Sequence, residues 1–355
     1  MASSPADLPR IREQVGRVLE EFLDRQRRRL SGIGDEMMPC IDAITDLLDG
    51  GKRLRPAFCY WGWRACGGED CPQILAAAAA LELLQASALV HDDVMDGSDT
   101  RRGQPAVHRR FAARHDADGW RGSADAFGTG AAILIGDLLL AWTNELFHAS
   151  GMHPAALLRG QPFLDTMCAE VICGQYLDLA GQAAGSSTVE SALRVVIYKS
   201  AKYTIERPLH LGAALAGRLQ PMPAAFTGYG IPLGIAFQLR DDVLGVFGDP
   251  AETGKPVSGD VREGKRTVLI AIARERADPA QARLLARHLG DPQLSEEEAA
   301  AVRAVITDSG ALAESELMIS RNVKEALAAL EGAPITQESK EALAELAVAA
   351  TARRD

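Results

Sequence analysis

The stretch HDDVMDGSDTRRG, residues 91–103, sets Asp92, Asp93, Asp96 and Asp99 within eight positions. Like charges that close repel one another, so the cluster asks for a cation. On a helix Asp92 and Asp96 stand one above the other and Asp93 lies about 100° round, a face that offers oxygen ligands alone. Such a donor set suits Mg²⁺, which bridges a few carboxylates to phosphate oxygens, whereas zinc wants histidine or cysteine. A second pair, Asp241 and Asp242, occurs in GIAFQLRDDVLGVFGDP. An acidic run ordinarily marks a solvated face. Here both pairs close strongly apolar stretches, and each is followed by a glycine-punctuated basic segment, RRG at 101–103 and the GK steps at 254–255 and 264–265.

The basic residues suggest what the metals hold. GGKRLRP, residues 50–56, starts a helix with Lys52, Arg53 and Arg55 behind two glycines, and a helix N-terminus with added cations is an anion site. Taken alone, such residues are more often merely solvated. GDVREGKRT, residues 259–267, approaches a phosphate-binding Walker A loop, but Arg266 stands where Ser or Thr should meet Mg²⁺ and no buried strand precedes it. An NTPase reading therefore lacks its structural context. Of the seven histidines only His91 adjoins an acidic motif, and it is read as a packed, hydrogen-bonded neighbour and not as a proton carrier.

The elements that position these residues are helical. Apolar residues recur at helical spacing in IREQVGRVLEEFLDRQRRRL, PQILAAAAALELLQASALV and SKEALAELAVAATARR, and alternating β-branched runs are scarce. Breaks fall at LLDGGKRLRP, HDADGWRGSADAFGTG, GQAAGSSTVE, AGRLQPMPAA and FGDPAETGKPVSGDVREGKRT, none with the look of an interdomain linker. The expectation is an all-α single domain over residues 9–355, a bundle of about 10–13 helices behind a disordered N-terminus at 1–8. With 47% hydrophobic residues the chain can bury a large core, and a net charge of −10 argues against nucleic acid or an anionic membrane as the main partner. Six cysteines without CxxC spacing suggest a reduced, cytoplasmic protein. The N-terminus is polar, unlike a signal peptide, and no transmembrane segment is expected, since no stretch reaches about 18 uncharged apolar residues.

In order, GGKRLRP, DDVMD with RRG, GDLLL, GQYLDL, YKSAKYT and FQLRDDVLGVFGD with its two GK elements resemble the motifs of the trans-isoprenyl diphosphate synthases of the polyprenyl synthetase group. The match runs from about residue 47 into the 270s and is most similar to the geranylgeranyl-type members. The resemblance implies mostly antiparallel helices around a deep central cavity, with the two acidic motifs facing one another at its mouth and about three Mg²⁺ ions bridging them to an allylic diphosphate. Carried over by position, Asp92 and Asp96 would ligate two ions and Asp241 the third, supported by Asp93 and Asp242. Arg101, Lys199 and Lys255 would complete the allylic diphosphate site, with Lys265 close by. Isopentenyl diphosphate, bound without metal, would be held by Lys52, Arg55 and Arg102 with Gln85. Ser200, Tyr203 and Gln238 would line the reacting carbons, and a homodimer is implied.

Two positions depart from the family pattern. Gly245 stands where many relatives have a third aspartate, a loss expected to weaken the third metal site at most, and Ser200 stands where threonine is common. Product length is read from the helix that ends at the first motif. Counting back from Asp92 at about 1.5 Å per residue, Ala88 and Ser87 lie roughly 6 to 7.5 Å down, Leu84 about 12 Å and Leu81 about 16 Å. The resemblance implies that aromatic side chains at the first two positions stop growth at farnesyl length. Both are small here, so the tail is expected to stop near the leucines as geranylgeranyl diphosphate. Alternatives are a longer-chain polyprenyl or a farnesyl diphosphate synthase, and a non-catalytic regulatory subunit of a heteromeric prenyl synthase. The last usually lacks an acidic motif that this chain keeps, while a terpene cyclase would not need Lys52, Arg55 and Arg102.

Overall fold

A computed structural model describes residues 5–185, 188–248 and 259–351. Among these the chain forms sixteen α-helices and one two-stranded hairpin. The first ten helices are α1 (Leu8–Ser31), α2 (Met38–Leu48), α3 (Leu54–Ala65), α4 (Pro72–Asp96), α5 (Val107–Ala117), α6 (Ala124–His148), α7 (Pro154–Ala184), α8 (Val189–Val195), α9 (Arg207–Leu215) and α10 (Met222–Phe247). The rest are α11 (Gly259–Arg262), α12 (Val268–Arg276), α13 (Pro279–His288), α14 (Glu296–Asp308), α15 (Ala311–Glu331) and α16 (Gln337–Thr351). The count exceeds the expected range because the segment after residue 258 divides into short helices with their own caps, such as Asp278 and Ser295. The N-terminus is also ordered earlier than expected. Ala6 is fully buried, its N–H donates to Glu345 Oε2 at 2.8 Å, and its carbonyl accepts from Trp61 Nε1.

α4 is the axis of the bundle, packed against α6, α3 and α1. It and α6 are long and apolar enough to cross a membrane by length and composition, although neither has 18 uncharged apolar residues in a row. In α4 the apolar run is explained by burial in the core, whereas α6 leaves Phe127, Ile133 and Leu134 exposed. Apolar packing divides into a larger cluster, containing Phe22, Phe58, Leu81 and Phe147, and a smaller one built from Leu239, Val243, Val261, Leu269 and Val302. α10 runs through both, with Tyr229 and Leu233 in the first and Leu239 and Val246 in the second.

Between α8 and α9 the helix widens into a π-helical stretch, Val196–Glu206. Glycines let the neighbours press on it: a Cβ at Gly174 of α7 would lie 2.5 Å from Lys199 N, and one at Gly234 of α10 would lie 2.3 Å from Ala201 Cα. α4 ends at Gly97, whose φ of 64° suits a residue without Cβ. The hairpin follows, pairing Arg101 with Gln104 around a two-residue turn in which Arg102 and Gly103 have φ of 53° and 75°. Positive φ at both turn residues matches the twist of the strands.

Candidate active site

A cavity of about 710 Å³ lies between α3, α4, α7, the π-helical stretch and α10, within the usual range for a small-molecule site. Its polar rim includes Asp92, Arg101, Arg102, Lys199 and Asp241, and Lys52 and Arg55 enter from the start of α3. Apolar wall comes from Leu84, Leu140, Val171, Leu179 and Phe237. The two acidic motifs therefore meet at one opening, each presented by the last turns of an apolar helix.

Arg101 ends the first strand and Arg102 stands in the left-handed turn, and their side chains take different partners. Arg101 donates from Nε to Asp93 Oδ1 at 2.9 Å and from Nη2 to the same oxygen, and it stands 3.8 Å from Asp92 Oδ2. Arg102 turns to the C-terminus of α2 and donates from Nη1 to the carbonyls of Leu47 and Asp49 at 3.2 and 3.1 Å. Arg53, also at φ 53°, reaches the same helix end through the Leu48 carbonyl, and it pairs with buried Glu82 at 2.6 Å. Guanidinium groups are favoured there because unsatisfied carbonyls make a helix C-terminus partially negative. Arg53 is thus a structural member of GGKRLRP, while Arg55 faces the cavity, donates to Thr204 Oγ1 at 2.8 Å and stacks 4.3 Å over the Tyr203 ring. Lys52 lines the same cavity with Nζ 3.5 Å from the Ala349 carbonyl.

Lys199, Ser200 and Tyr203, all from the π-helical stretch, line the cavity together. Lys199 donates to Asp178 Oδ2 at 2.6 Å and Asp92 Oδ1 at 3.2 Å, and Gln175 adds a bond to Asp92 Oδ1 at 2.8 Å. Gln175 and Asp178 were not singled out from GQYLDL. Their spacing of three on α7, facing the first motif, was the available signal. Tyr203 donates to Gln85 Oε1 at 2.8 Å, and Gln238 donates to Asp242 Oδ1 at 2.8 Å. His91 is hydrogen-bonded to the Ile133 carbonyl at 3.1 Å, as expected, yet it is not packed away: it lines the cavity and stands 3.6 Å from Asp137 Oδ1.

The carboxylates do not share one environment. Burial pushes Asp92 up, but Lys199, Lys265 and Arg101 outweigh it and hold the group below the usual range. Asp93 is raised by burial despite Arg101. Asp96 is pushed up to about 6, first by burial and then by Asp92. Asp242 reaches about 8 because it is buried, with Asp260 and Asp241 adding repulsion against the Gln238 hydrogen bond. For Lys199 and Lys265 the nearby carboxylates overcome burial and raise both groups.

Several expected residues stand behind the wall instead of on it. Asp96 is covered by Lys265, 3.3 Å away, and its side chain is only 2% exposed. Asp93 is held by the Arg101 contact, and Asp242 is buried and accepts from Gln238. Leu81 is fully buried among core residues and does not reach the cavity, while Leu84, Ser87 and Ala88 do. Ser87 is largely committed to helix packing, since its hydroxyl donates to the Gly136 carbonyl of α6 at 2.8 Å. Lys255 lies outside the described residues.

The donor set fits a hard cation. It contains oxygen only, and both Asp96 oxygens are buried without a hydrogen-bond partner. Among the described residues no three histidine, cysteine or acidic side chains already converge as a cage. Lysines and an arginine hold the acids apart, an arrangement suited to Mg²⁺, which takes part of its shell from phosphate and water.

Residues 39–306 match the sequence profile of the polyprenyl synthetase family. A crystal structure of geranylgeranyl pyrophosphate synthase from Corynebacterium glutamicum, complexed with isoprenyl diphosphate and magnesium, superposes with a TM-score of 0.95 at 42% identity, covering 98% of this chain and 100% of that one. The geranylgeranyl diphosphate synthase of Mycobacterium tuberculosis is 30% identical over 338 residues, 93% of this chain and 91% of its own length. The geranylfarnesyl diphosphate synthase of Aeropyrum pernix is 33% identical over 299 residues, 83% and 87% of the two chains. With two acidic motifs meeting over one apolar cavity, this all-α chain belongs to the polyprenyl synthetase family.

Proposed function

We infer that the protein is a trans-prenyltransferase that condenses isopentenyl diphosphate with allylic diphosphates, head to tail, with geranylgeranyl diphosphate as its main product. The observation that carries this reading is the make-up of one cavity lining: Asp92 and Asp241 with Lys199, the cations Lys52, Arg55 and Arg102, and apolar wall from Leu84, Leu140 and Phe237. Asp92, Asp96 and Asp241 are the proposed Mg²⁺ ligands, with Asp93 and Asp242 in support. Bound Mg²⁺ supplies Lewis-acid stabilisation of the diphosphate leaving group. Lys199 and Arg101 add positive charge beside that group, and Lys52, Arg55 and Arg102 hold the diphosphate that binds without metal.

The allylic C–O bond breaks with its electron pair leaving on diphosphate, the isopentenyl double bond attacks the allylic carbon, and a proton then leaves the adjacent carbon. Ser200, Tyr203 and the Gln238 amide oxygen offer oriented dipoles to the cation, while the apolar wall excludes the water that would hydrolyse it. His91 is held by a backbone carbonyl, so the departing diphosphate is assigned as proton acceptor.

A homodimer is supported by apolar side chains exposed on α6 and α7 away from the cavity, among them Ile133, Leu134 and Leu158. A cytoplasmic location is supported by six unpaired cysteines. Chromatography of products from purified protein, Mg²⁺, isopentenyl diphosphate and each allylic primer in turn tests the activity. A twenty-carbon product is expected. An end at ten or fifteen carbons would refute the length, and no condensation with any primer would refute the reaction.

A further inference from the structure

GGKRLRP uses its two arginines differently. Arg53 gives its charge to a buried carboxylate, Glu82 Oε2 at 2.6 Å, and to the Leu48 carbonyl. Arg55, two residues on and in the first turn of α3, is held by neutral groups. Its Nη2 donates to Thr204 Oγ1 at 2.8 Å, and its guanidinium lies 4.3 Å over the Tyr203 ring. Burial pushes the Tyr203 phenol above its ordinary value and so keeps it neutral, and its hydroxyl donates to Gln85 Oε1 of α4 at 2.8 Å, which fixes the ring. An aromatic face and a hydroxyl oxygen orient a guanidinium without cancelling its charge.

A cation in the first turn of a helix sits against the partial positive charge of that end. It therefore gains from a fixed acceptor. Arg55 Nε is buried and hydrogen-bonded to nothing, so the ring and the Thr204 hydroxyl set the orientation of the fork. Thr204 is 1% exposed and does not line the cavity, whereas Arg55, Tyr203 and Gln85 do. It can act on a bound diphosphate only through Arg55. Its neighbours Ala201 and Ile205 in the π-helical stretch are fully buried, which gives the hydroxyl a rigid base.

We propose that Thr204 is a positioning residue for isopentenyl diphosphate: its hydroxyl holds the Arg55 guanidinium in the orientation that receives the metal-free diphosphate. The proposal rests on the assignment of Arg55 to that substrate. Thr204 carries a methyl group, which can only pack, and a hydroxyl, which orients Arg55, and substitution separates the two.

The test is steady-state kinetics on the full-length protein with Mg²⁺, each substrate varied in turn. Thr204→Val keeps the shape and removes the acceptor, so a buried guanidinium N–H loses its partner. KM for isopentenyl diphosphate is expected to rise at least about tenfold, the scale of a lost hydrogen bond to a charged group, while KM for the allylic primer stays within about twofold. Thr204→Ser keeps the hydroxyl and drops the methyl, and it should behave like the original protein towards both substrates. In an Arg55→Ala background the valine should add less than about twofold, because the two residues act as one unit. Both KM values unchanged in Thr204→Val, both raised alike, or a serine variant no better than the valine one would overturn the proposal. An undiminished valine effect in the Arg55→Ala background would do so too. Thermal melts establish folding, and if Thr204→Val does not fold, Thr204→Ala decides by the same criterion. An Arg55→Ala protein with unchanged KM for isopentenyl diphosphate would instead overturn the assignment of Arg55 to that substrate, and this proposal with it.

Discussion

Asp92, Asp96 and Asp242 are chemically identical side chains held in three different states by what surrounds them. Cations keep Asp92 ionised, a partly compensated burial raises Asp96 to about 6, and deeper burial raises Asp242 to about 8. Asn at Asp92 or Asp241 retains the shape and removes charge at the cavity wall. Turnover should fall by at least about 100-fold, or about 2.7 kcal/mol of transition-state stabilisation. Steady-state rates near the original value in both variants would sink the ligand assignment. Spacing on a helix brought Asp92 and Asp241 to the cavity, but it did not show that Asp93, Asp96 and Asp242 stand behind its wall. Their partners were not legible, because Arg101 chooses Asp93, and Gln175 and Lys199 choose Asp92, across distances in sequence that spacing alone does not bridge.

At the scale of elements, one helix end organises the basic side of the cavity. The last carbonyls of α2 accept from Arg53 and Arg102, which come from two separate loops, and Glu82 of α4 completes the anchor. Glu82→Gln leaves the Arg53 charge buried without its counter-ion, a change that typically costs about 3–5 kcal/mol. Urea unfolding should show that loss, and KM for isopentenyl diphosphate should rise more than KM for the allylic primer. Equal shifts for both substrates would contradict the anchoring role. Cavity depth also belongs to this scale. The 3.6-residue period correctly brought Leu84, Ser87 and Ala88 to the wall, but it placed Leu81 there too, where core packing takes it. Because the Ser87 hydroxyl joins α4 to α6, Ala88→Phe is the better obstruction. It should shift products from twenty carbons toward fifteen, and chromatography showing an unchanged distribution from a folded variant would place the floor elsewhere. The π-helical stretch was not legible, since YKSAKYT carries an ordinary helical pattern and its widening depends on close contact with Gly174 and Gly234.

Over the whole molecule, helical periodicity and glycine breaks were enough for the all-α class, while the division of apolar packing around α10 depends on contacts far apart in sequence. The buried acids give the metal-free protein a pH dependence of definite sign. Asp242 has a folded value of about 8 against 3.8 when unfolded. Between those values the folded state keeps a proton that the unfolded state releases, so stability falls as pH rises through the window and levels off above it. In chelator, melting temperature should therefore decline from pH 5 to pH 8, and Asp242→Asn should flatten the decline. A melting temperature that climbs across this interval, or an identical slope in the variant, would contradict the burial of that group as the cause.

α10 belongs to both apolar clusters, and the acids divide along the same line. The helix bearing Asp92 and Asp96 is rooted in the larger cluster, with Val90 buried there, whereas Asp241, Asp242 and Asp260 are flanked by Leu239, Val243 and Val261 of the smaller one. The catalytic mouth is consequently a seam, and a dication with its diphosphate would act as a staple across it. Opening of the smaller unit in the empty protein needs no separation of the larger one, so its amides should exchange with solvent deuterium sooner. Adding Mg²⁺ and an unreactive allylic analogue should slow exchange in α11, α12 and the end of α10 by more than in α1 or α3, and uniform slowing across all of them would show that the two units already move as one.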